Sequence, residues 1–330
     1  MDGAVGKVTI YDVAERAGVS ISTVSLAINA PHRVSDETRS RVIEAATQLG
    51  YRRTPSRQRA ETSALRIAVA APFTSYPSYY RRLSGMLLHA RRAAVDLIPH
   101  DLDSAASAAD PLLHALPARG DVDGLIVMGV PLSAAALRAS RTARLPVVLV
   151  DIRRERPSLG APVVLIDDEA GGRLVGEHLR AAGHRRVGFV HERQLSSDYV
   201  SAGMLRARGI LESVELVDVP VDVFGEPGPA LREALAKDAG MTAVFANHDG
   251  LAAHTWRAIE ETGRRVPDDI AVVGYDDGEL AASLGLTTVR QPFVESGRAA
   301  LDLVLAELSG EGTRVSHVEL APELVVRRSA

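Results

Sequence analysis

Apolar positions follow two rhythms along this chain, and the change falls near residue 60. Before it, apolar residues recur three and four apart, the mark of short amphipathic helices. Val13, Ala14 and Ala17 form one stripe, Val24, Ala27 and Ile28 a second, and Val42, Ile43, Ala46 and Leu49 a third. Polar residues stand where helix starts need them. Thr9 with Asp12 three positions on, Ser20, and Ser35 followed by Asp36 and Glu37 read as N-terminal caps, because their oxygens accept the free N–H groups of a first turn. Gly18 and Gly50 close the first and third helices, where a left-handed cap suits glycine. Residues 21–29 form the second helix, joined to the first by Ala-Gly-Val-Ser. Two short helices across a tight turn, with a third closing the core, fit either a plain three-helix bundle or a helix-turn-helix whose second helix enters the major groove of DNA.

From residue 65 the rhythm becomes one of short apolar runs alternating with helical stretches. The runs at 65–71, 124–128 and 146–150 predict one set of strands. Those at 163–166, 187–190, 243–245 and 270–273 predict a second. Helices are expected at 80–95 and at about 294–308. Near-continuous Val/Ile/Leu runs separated by helices indicate parallel sheets covered on both faces. The expected fold is therefore a small all-α headpiece followed by an α/β core of two doubly wound subdomains.

Composition narrows the function. At 330 residues and 46% apolar, the chain has room for two or three domains. It has no cysteine, which excludes disulfides, thiolate metal sites and a cysteine nucleophile. No apolar run reaches the roughly 18–20 residues of a membrane span, and the first seven residues hold no signal-like apolar stretch. A cytoplasmic protein with no membrane association is the expectation. The net charge of -4 points away from nucleic acid until it is divided. Residues 1–60 carry nine basic and six acidic side chains, and the remainder 29 basic and 36 acidic. A basic head precedes an acidic body. The body lacks Gly-x-Gly-x-x-Gly, a Walker-type Gly-Lys-Ser/Thr, His-Glu-x-x-His and Gly-x-Ser-x-Gly, so a nucleotide-dependent or hydrolytic enzyme, a catalytic site, a cofactor and a metal are not expected.

The run from Val8 through Ile10-Tyr-Asp-Val-Ala-Glu-Arg-Ala-Gly-Val-Ser-Ile-Ser-Thr-Val-Ser25, then Asn29, Val34-Ser35, Thr38-Arg39 and Leu49-Gly-Tyr51, resembles the headpiece of the lactose-repressor/galactose-repressor (LacI/GalR) family. The resemblance implies that Ile21, Ser22 and Leu26 read bases. It also implies that Ser20, Thr23, Ser25, Asn29, Arg33 and Tyr51 lie near phosphates, contacts that position without specifying sequence. Leu26 replaces an arginine that many members carry, so a guanine contact gives way to an apolar one, for instance to a thymine methyl. The hinge departs too. Ala60 stands at the position of a wedging leucine, leaving Arg57 and Arg59 to reach the minor groove or phosphates. On this basis residues 1–7 are a tail, 8–62 the headpiece and hinge, and 63–330 the effector-binding and dimerisation part. That part divides into an N-subdomain (63–155 and 293–312) and a C-subdomain (160–290 and 316–330).

The same family is resembled further on, by Asp167-Asp-Glu-Ala-Gly-Gly-Arg173, Val272-Val-Gly-Tyr-Asp-Asp277 and Thr287-Thr-Val-Arg-Gln291. The implied body is similar to a periplasmic sugar-binding protein, with a small-molecule effector held in a cleft between the subdomains. Ligands of such sheets bind beyond the carboxyl ends of strands. Ser78, Tyr79, Asp151, Asp198, Val200, Phe224, His248, Asp276 and Gln291 are the candidates there. Val200 stands where many members have an arginine, and His248 where many have asparagine. Losing a guanidinium fork removes a clamp for anions and polyols, so a phosphorylated or acidic effector is not expected; a neutral sugar, the effector class the resemblance implies, another small polar molecule or no effector all remain open. The expected function is a homodimeric repressor of a pseudo-palindromic operator on double-stranded DNA. Two rivals are weighed. A solute-binding protein calls for a signal peptide and no headpiece; a sugar-active enzyme calls for a catalytic dyad or phosphate loop.

Overall fold

The computed structural model describes residues 8–52, 64–91, 93–102, 111–152, 161–194, 200–222, 225–310 and 317–330. The hinge with Arg57, Arg59 and Ala60 lies outside them, as do Asp198 and Phe224. The chain divides into two compact units: residues 1–150, 156–163 and 297–317, and residues 151–155, 164–296 and 318–330. The division differs from the expected subdomains chiefly in grouping the headpiece with the first unit.

The headpiece is three helices, α1 (Ile10–Ala17), α2 (Ile21–Asn29) and α3 (Asp36–Leu49). Each begins and ends for a local reason. The Asp12 carboxylate accepts both the Thr9 N–H at 2.7 Å and the Thr9 hydroxyl at 2.8 Å. Ser20 accepts the Thr23 N–H and Ser35 the Thr38 N–H. Gly18 and Gly50 end α1 and α3 at φ 64° and 66°, a region costly for other residues. Val13, Val24 and Val42 are fully buried where the three helices meet.

The rest of the first unit is built on β1 (Leu65–Ala71), α4 (Ser78–Ala90), β2 (Val95–Asp101), α5 (Pro111–Arg119), β3 (Gly124–Met128), α6 (Ala134–Thr142) and β4 (Val147–Val150). Parallel β2, β1, β3 and β4 lie side by side. The helix expected at 80–95 stops at Ala90, and Val95 opens β2 instead. β2 is the outermost strand, the place where its Pro99 is tolerated.

A second correction concerns β5 (Val163–Ile166). It was expected to open the second sheet, but it continues the first, in the order β11-β5-β4-β3-β1-β2, with β11 (His317–Leu320) beyond it. Leu149 donates its N–H to Pro162 O and Asp151 to Val164 O. The division between units falls inside β5.

The second unit carries a four-stranded parallel sheet, in the order β7-β6-β8-β9. Its strands are β6 (Arg186–Glu192), β7 (Glu215–Val221), β8 (Met241–Ala246) and β9 (Ala271–Val273). Side chains alternate between two cores, as strand geometry requires. Val187, Phe189, Ala243 and Phe245 face α7 (Asp168–Ala181) and α8 (Ala202–Leu211). Val190, Val219, Val244 and Val272 face α9 (Gly228–Lys237), α10 (Asp249–Glu260) and α11 (Glu279–Leu284). β10 (Thr288–Arg290) pairs antiparallel with β12 (Glu323–Val325). The long helix α12 (Phe293–Ser309) follows β10.

α7 and α8 approach so closely that glycine is required. A Cβ on Gly209 would lie 1.9 Å from Glu169 O, and one on Gly172 2.0 Å from Arg206 O. Both obstacles are backbone, which no rotamer change relieves. Gly209→Ala is therefore expected to destabilise the protein by about 1–3 kcal/mol or more, read as a lower urea midpoint at unchanged slope. An unchanged midpoint would show that the helices separate without penalty.

Candidate DNA-reading face and effector site

On α2, successive side chains step by about 100° around the axis. Ile21, Ser25, Ser22 and Leu26 thus fall within one arc, and Ala27, Val24 and Ile28 within the opposite one. The second arc is buried in the headpiece core. In the first, Ile21 is 40% and Leu26 38% exposed, unusual for large apolar residues on a small domain. Ser22 is also exposed. These are the three positions expected to read bases, and they share one face.

The polar neighbours are already engaged. Ser20 Oγ lies 2.8 Å from both Ser22 Oγ and Thr23 Oγ1. Asn29 donates its amide to Ser25 O at 2.8 Å. Arg33 is exposed at the end of the short turn Pro31–Arg33. Tyr51, expected near phosphates, is 7% exposed and packed in the headpiece core. An aromatic ring just past a helix cap finds more apolar surface to cover than backbone to follow.

In the first unit, Ser78 opens α4 and Tyr79 follows it. The Tyr79 hydroxyl reaches the end of β3, where a Cβ on Gly129 would lie 1.8 Å from it. Its ring meets Tyr76 edge-on at 6.4 Å, and the Arg82 guanidinium sits 5.2 Å from its centroid.

The second unit holds Asp151, Val200, His248, Asp276 and Gln291. Gln291, 4% exposed, donates its amide to Asp276 Oδ1 at 2.5 Å. Asp151, Asp276 and Asp277 have φ of 55°, 115° and 51°. Strained backbone of this kind gathers at binding sites. Val200 is 9% exposed and apolar.

His248 caps α10. Its Nδ1 accepts the Leu251 N–H at 3.1 Å, and its Nε2 donates to Glu192 Oε1 at 2.6 Å. Glu192 also accepts the Asn247 amide at 3.2 Å. Burial opposes the Glu192 charge, but the His248 hydrogen bond and charge and the Asn247 amide outweigh it and bring its pKa down to about 2. Burial likewise opposes an imidazolium at His248, yet Glu192 draws its pKa upward. Asp249 moves the other way. Burial and the Asp276 charge push it up to about 7, against hydrogen bonds from Thr288 Oγ1 at 2.6 Å and the Gly278 N–H at 2.8 Å.

Behind them lies Arg206, 7% exposed. It donates to Asp168 Oδ1 at 2.8 Å, Asn247 O at 2.6 Å and Asn247 Oδ1 at 3.0 Å, and its guanidinium lies 3.7 Å from the Tyr275 ring centroid. This cation is fully committed to the protein. The acceptors Glu192 and Asp276, with His248 and Gln291, make a surface suited to hydroxyl and amine donors.

Sequence reasoning missed Glu192, Asn247 and Arg206. Glu192 obeys the rule that found the others, since it ends a strand. Its signal was hidden because the expected strand stopped at Val190 and β6 runs two residues further. Among the described residues no cluster of His, Asp and Glu suited to a metal is present.

Residues 9–54 match the family described as bacterial regulatory proteins, lacI family, and 177–330 a periplasmic binding protein-like domain. The HTH-type transcriptional regulator DegA of Bacillus subtilis is 31% identical, over 98% of both chains. MalR of Streptomyces coelicolor, an HTH-type transcriptional regulator, is 32% identical over 97% of this chain and 96% of its own. Among solved structures, the regulator CelR in complex with cellobiose has a TM-score of 0.71 at 28% identity, covering 98% of this chain and 100% of its own. A lac repressor dimer bound to operator and an anti-inducer has a TM-score of 0.67 at 28% identity, with 98% of each chain covered.

The ionised Glu192 contributes stability that is complete above pH 4.5 and fades as pH falls toward 2. Asp249 has the opposite sign: its contribution is complete below pH 3.8 and is lost as pH rises through about 7. Glu192→Gln is expected to lower unfolding free energy at pH 7 by about 1–3 kcal/mol and to lose less than wild type between pH 4.5 and 3 in urea titrations. Asp249→Asn is expected to flatten the decline between pH 5 and 8. Parallel pH profiles for wild type and variants would refute these roles.

Proposed function

The chain belongs to the LacI family of bacterial regulatory proteins, and from that premise we propose that it represses transcription by gripping a pseudo-palindromic operator and adjusts that grip to a small polar effector. It is a DNA-binding transcriptional regulator with effector binding. The observation that carries the reading is the exposed arc of Ile21, Ser22 and Leu26 on a helix whose opposite arc is buried. Of its two apolar readers, Leu26 sets a preference for a thymine methyl over guanine at one step of each half-site.

The effector half of the proposal rests on the acceptor groups at the strand ends. Asp276, Gln291 and His248, all in the second unit, hold hydroxyls. With Val200 in place of a guanidinium and Arg206 already bonded to Asp168 and Asn247, a neutral sugar-like molecule fits better than a phosphate. The CelR structure was solved with cellobiose, which supports a sugar. The protein acts by binding rather than turnover, in the cytoplasm where its operator lies. Among the described residues no helix is long and apolar enough to cross a membrane.

A homodimer completes the scheme, because one helix-turn-helix reads one half-site. The lac repressor in the matched structure is a dimer. On α4, Tyr80, Leu87 and Leu88 leave about half of their surfaces exposed, at 52%, 49% and 53%. This apolar row suits a second copy.

Footprinting of the bound operator across a genome, repeated with a panel of neutral sugars, tests the reading. A discrete two-fold-symmetric site released or tightened by one sugar is expected. Weak, sequence-independent binding with a steep salt slope would refute it. Leu26→Arg is expected to shift base preference at one position per half-site, by about 1–3 kcal/mol. An unchanged site logo would show that Leu26 does not read DNA.

A further inference from the structure

The headpiece is not isolated from the body that follows it. Ala118 of α5 is 6% exposed and belongs to the same apolar cluster as Val13, Val24 and Val42 of the headpiece. α3 presents Ile43, Ala46 and Thr47 to a seam whose other wall is Pro117, Ala139 and Thr142 of α5 and α6. Most of the facing residues, Ala46, Thr47, Ala139 and Thr142 among them, are small. A Cβ on Gly50 would come 3.7 Å from Thr142 Cγ2, an ordinary contact. Small side chains bring helices close but bury little apolar area, so the seam alone is a weak joint.

Arg52 strengthens it. Its guanidinium donates to Ala143 O, at 3.4 Å, and to Val122 O. Ala143 is the C-terminal cap of α6, and Val122 lies in the connection after α5. The last carbonyls of a helix lack partners within it and carry the negative end of its dipole. One planar fork therefore ties the headpiece to the C-terminal end of α6 and to the connection after α5, a geometry that arginine supplies and lysine does not. While docked in this way, α2 keeps Ile21 and Leu26 exposed.

We infer that Arg52 is a positioning residue: it latches the headpiece onto the α5–α6 face of its own chain in a reading-competent orientation, and so sets the half-site spacing that the dimer accepts. The inference rests on the reading of this protein as a dimeric operator binder. The latch does the work of holding register through protein–protein contact. The chain's small Ala60 at the hinge is a poor wedge for doing the same through DNA.

Two experiments on the full-length protein test it. The first measures affinity for operators whose half-site separation is varied one base pair at a time. Wild type is expected to prefer one separation sharply. Arg52→Ala is expected to accept a window of about three separations, to lose about tenfold in affinity at the preferred one through a lower effective concentration of the second head, and to keep its half-site sequence logo. Arg52→Lys should fall between them. An Arg52→Ala profile as sharp as wild type overturns the latch while leaving the operator reading intact. Failure of wild type to select any operator overturns both. The second experiment uses the absence of cysteine. Thr47→Cys with Thr142→Cys is expected to form a disulfide under mild oxidation, about tenfold faster with Arg52 than with Ala in its place. Equal rates, or no disulfide in a protein of unchanged circular dichroism, would show that no latch forms.

Discussion

A positive charge with almost no access to water organises the ligand end of the second unit. An unpaired buried guanidinium is untenable, because desolvation exceeds anything that packing returns. Arg206 is therefore surrounded by Asp168, the Asn247 carbonyl and amide oxygen, and the face of Tyr275. Those partners come from α7, the end of β8 and the end of β9. Satisfying one cation thus fixes three elements against α8, and the glycines of α7 and α8 exist to permit that approach. Asn247, held by Arg206, turns its amide toward Glu192, and Glu192 accepts His248. The acceptor surface is the outer layer of a network whose centre is structural.

How legible each part was depends on the range of the interactions that determine it. The headpiece helices were readable nearly to the residue, because Thr9, Ser20, Ser35, Gly18 and Gly50 act on the turn next to them. Several strands were not predicted, β2 and β7 among them. Each of these two contains a proline, Pro99 and Pro220, which reads as a breaker in sequence and is tolerated because each strand is at a sheet edge. β5 was assigned to the wrong sheet because its four apolar residues suit either one. Only the hydrogen bonds with its neighbours decide. Asp276 and Gln291 could be named by family resemblance, whereas Arg206 gave no local signal and that of Glu192 was hidden by an expected strand end two residues too early. Their roles come from residues about 40 and 55 positions away in sequence.

The burial of Tyr51 and the latch at Arg52 share a cause. Immediately after Gly50 the chain leaves α3 against the α5–α6 face, so consecutive residues meet different surroundings. One turns into the headpiece core and the next to the end of α6 and the connection after α5. A sequence motif names both positions but does not reveal that the body supplies a wall for them.

The division of charge also takes a different meaning in three dimensions. At the strand ends of the second unit, Asp168 is neutralised by Arg206, and Asp277 by Arg290 and Arg327. What remains is Glu192 with His248, and Asp249 beside Asp276. Burial, and after it the neighbouring Asp276 carboxylate, push Asp249 up to about 7, while Asp276 takes the Gln291 amide. The acidity of the body is thus more than a surplus on its surface. Part of it is gathered at the strand ends of the second unit, where Asp249 and Asp276 lie together.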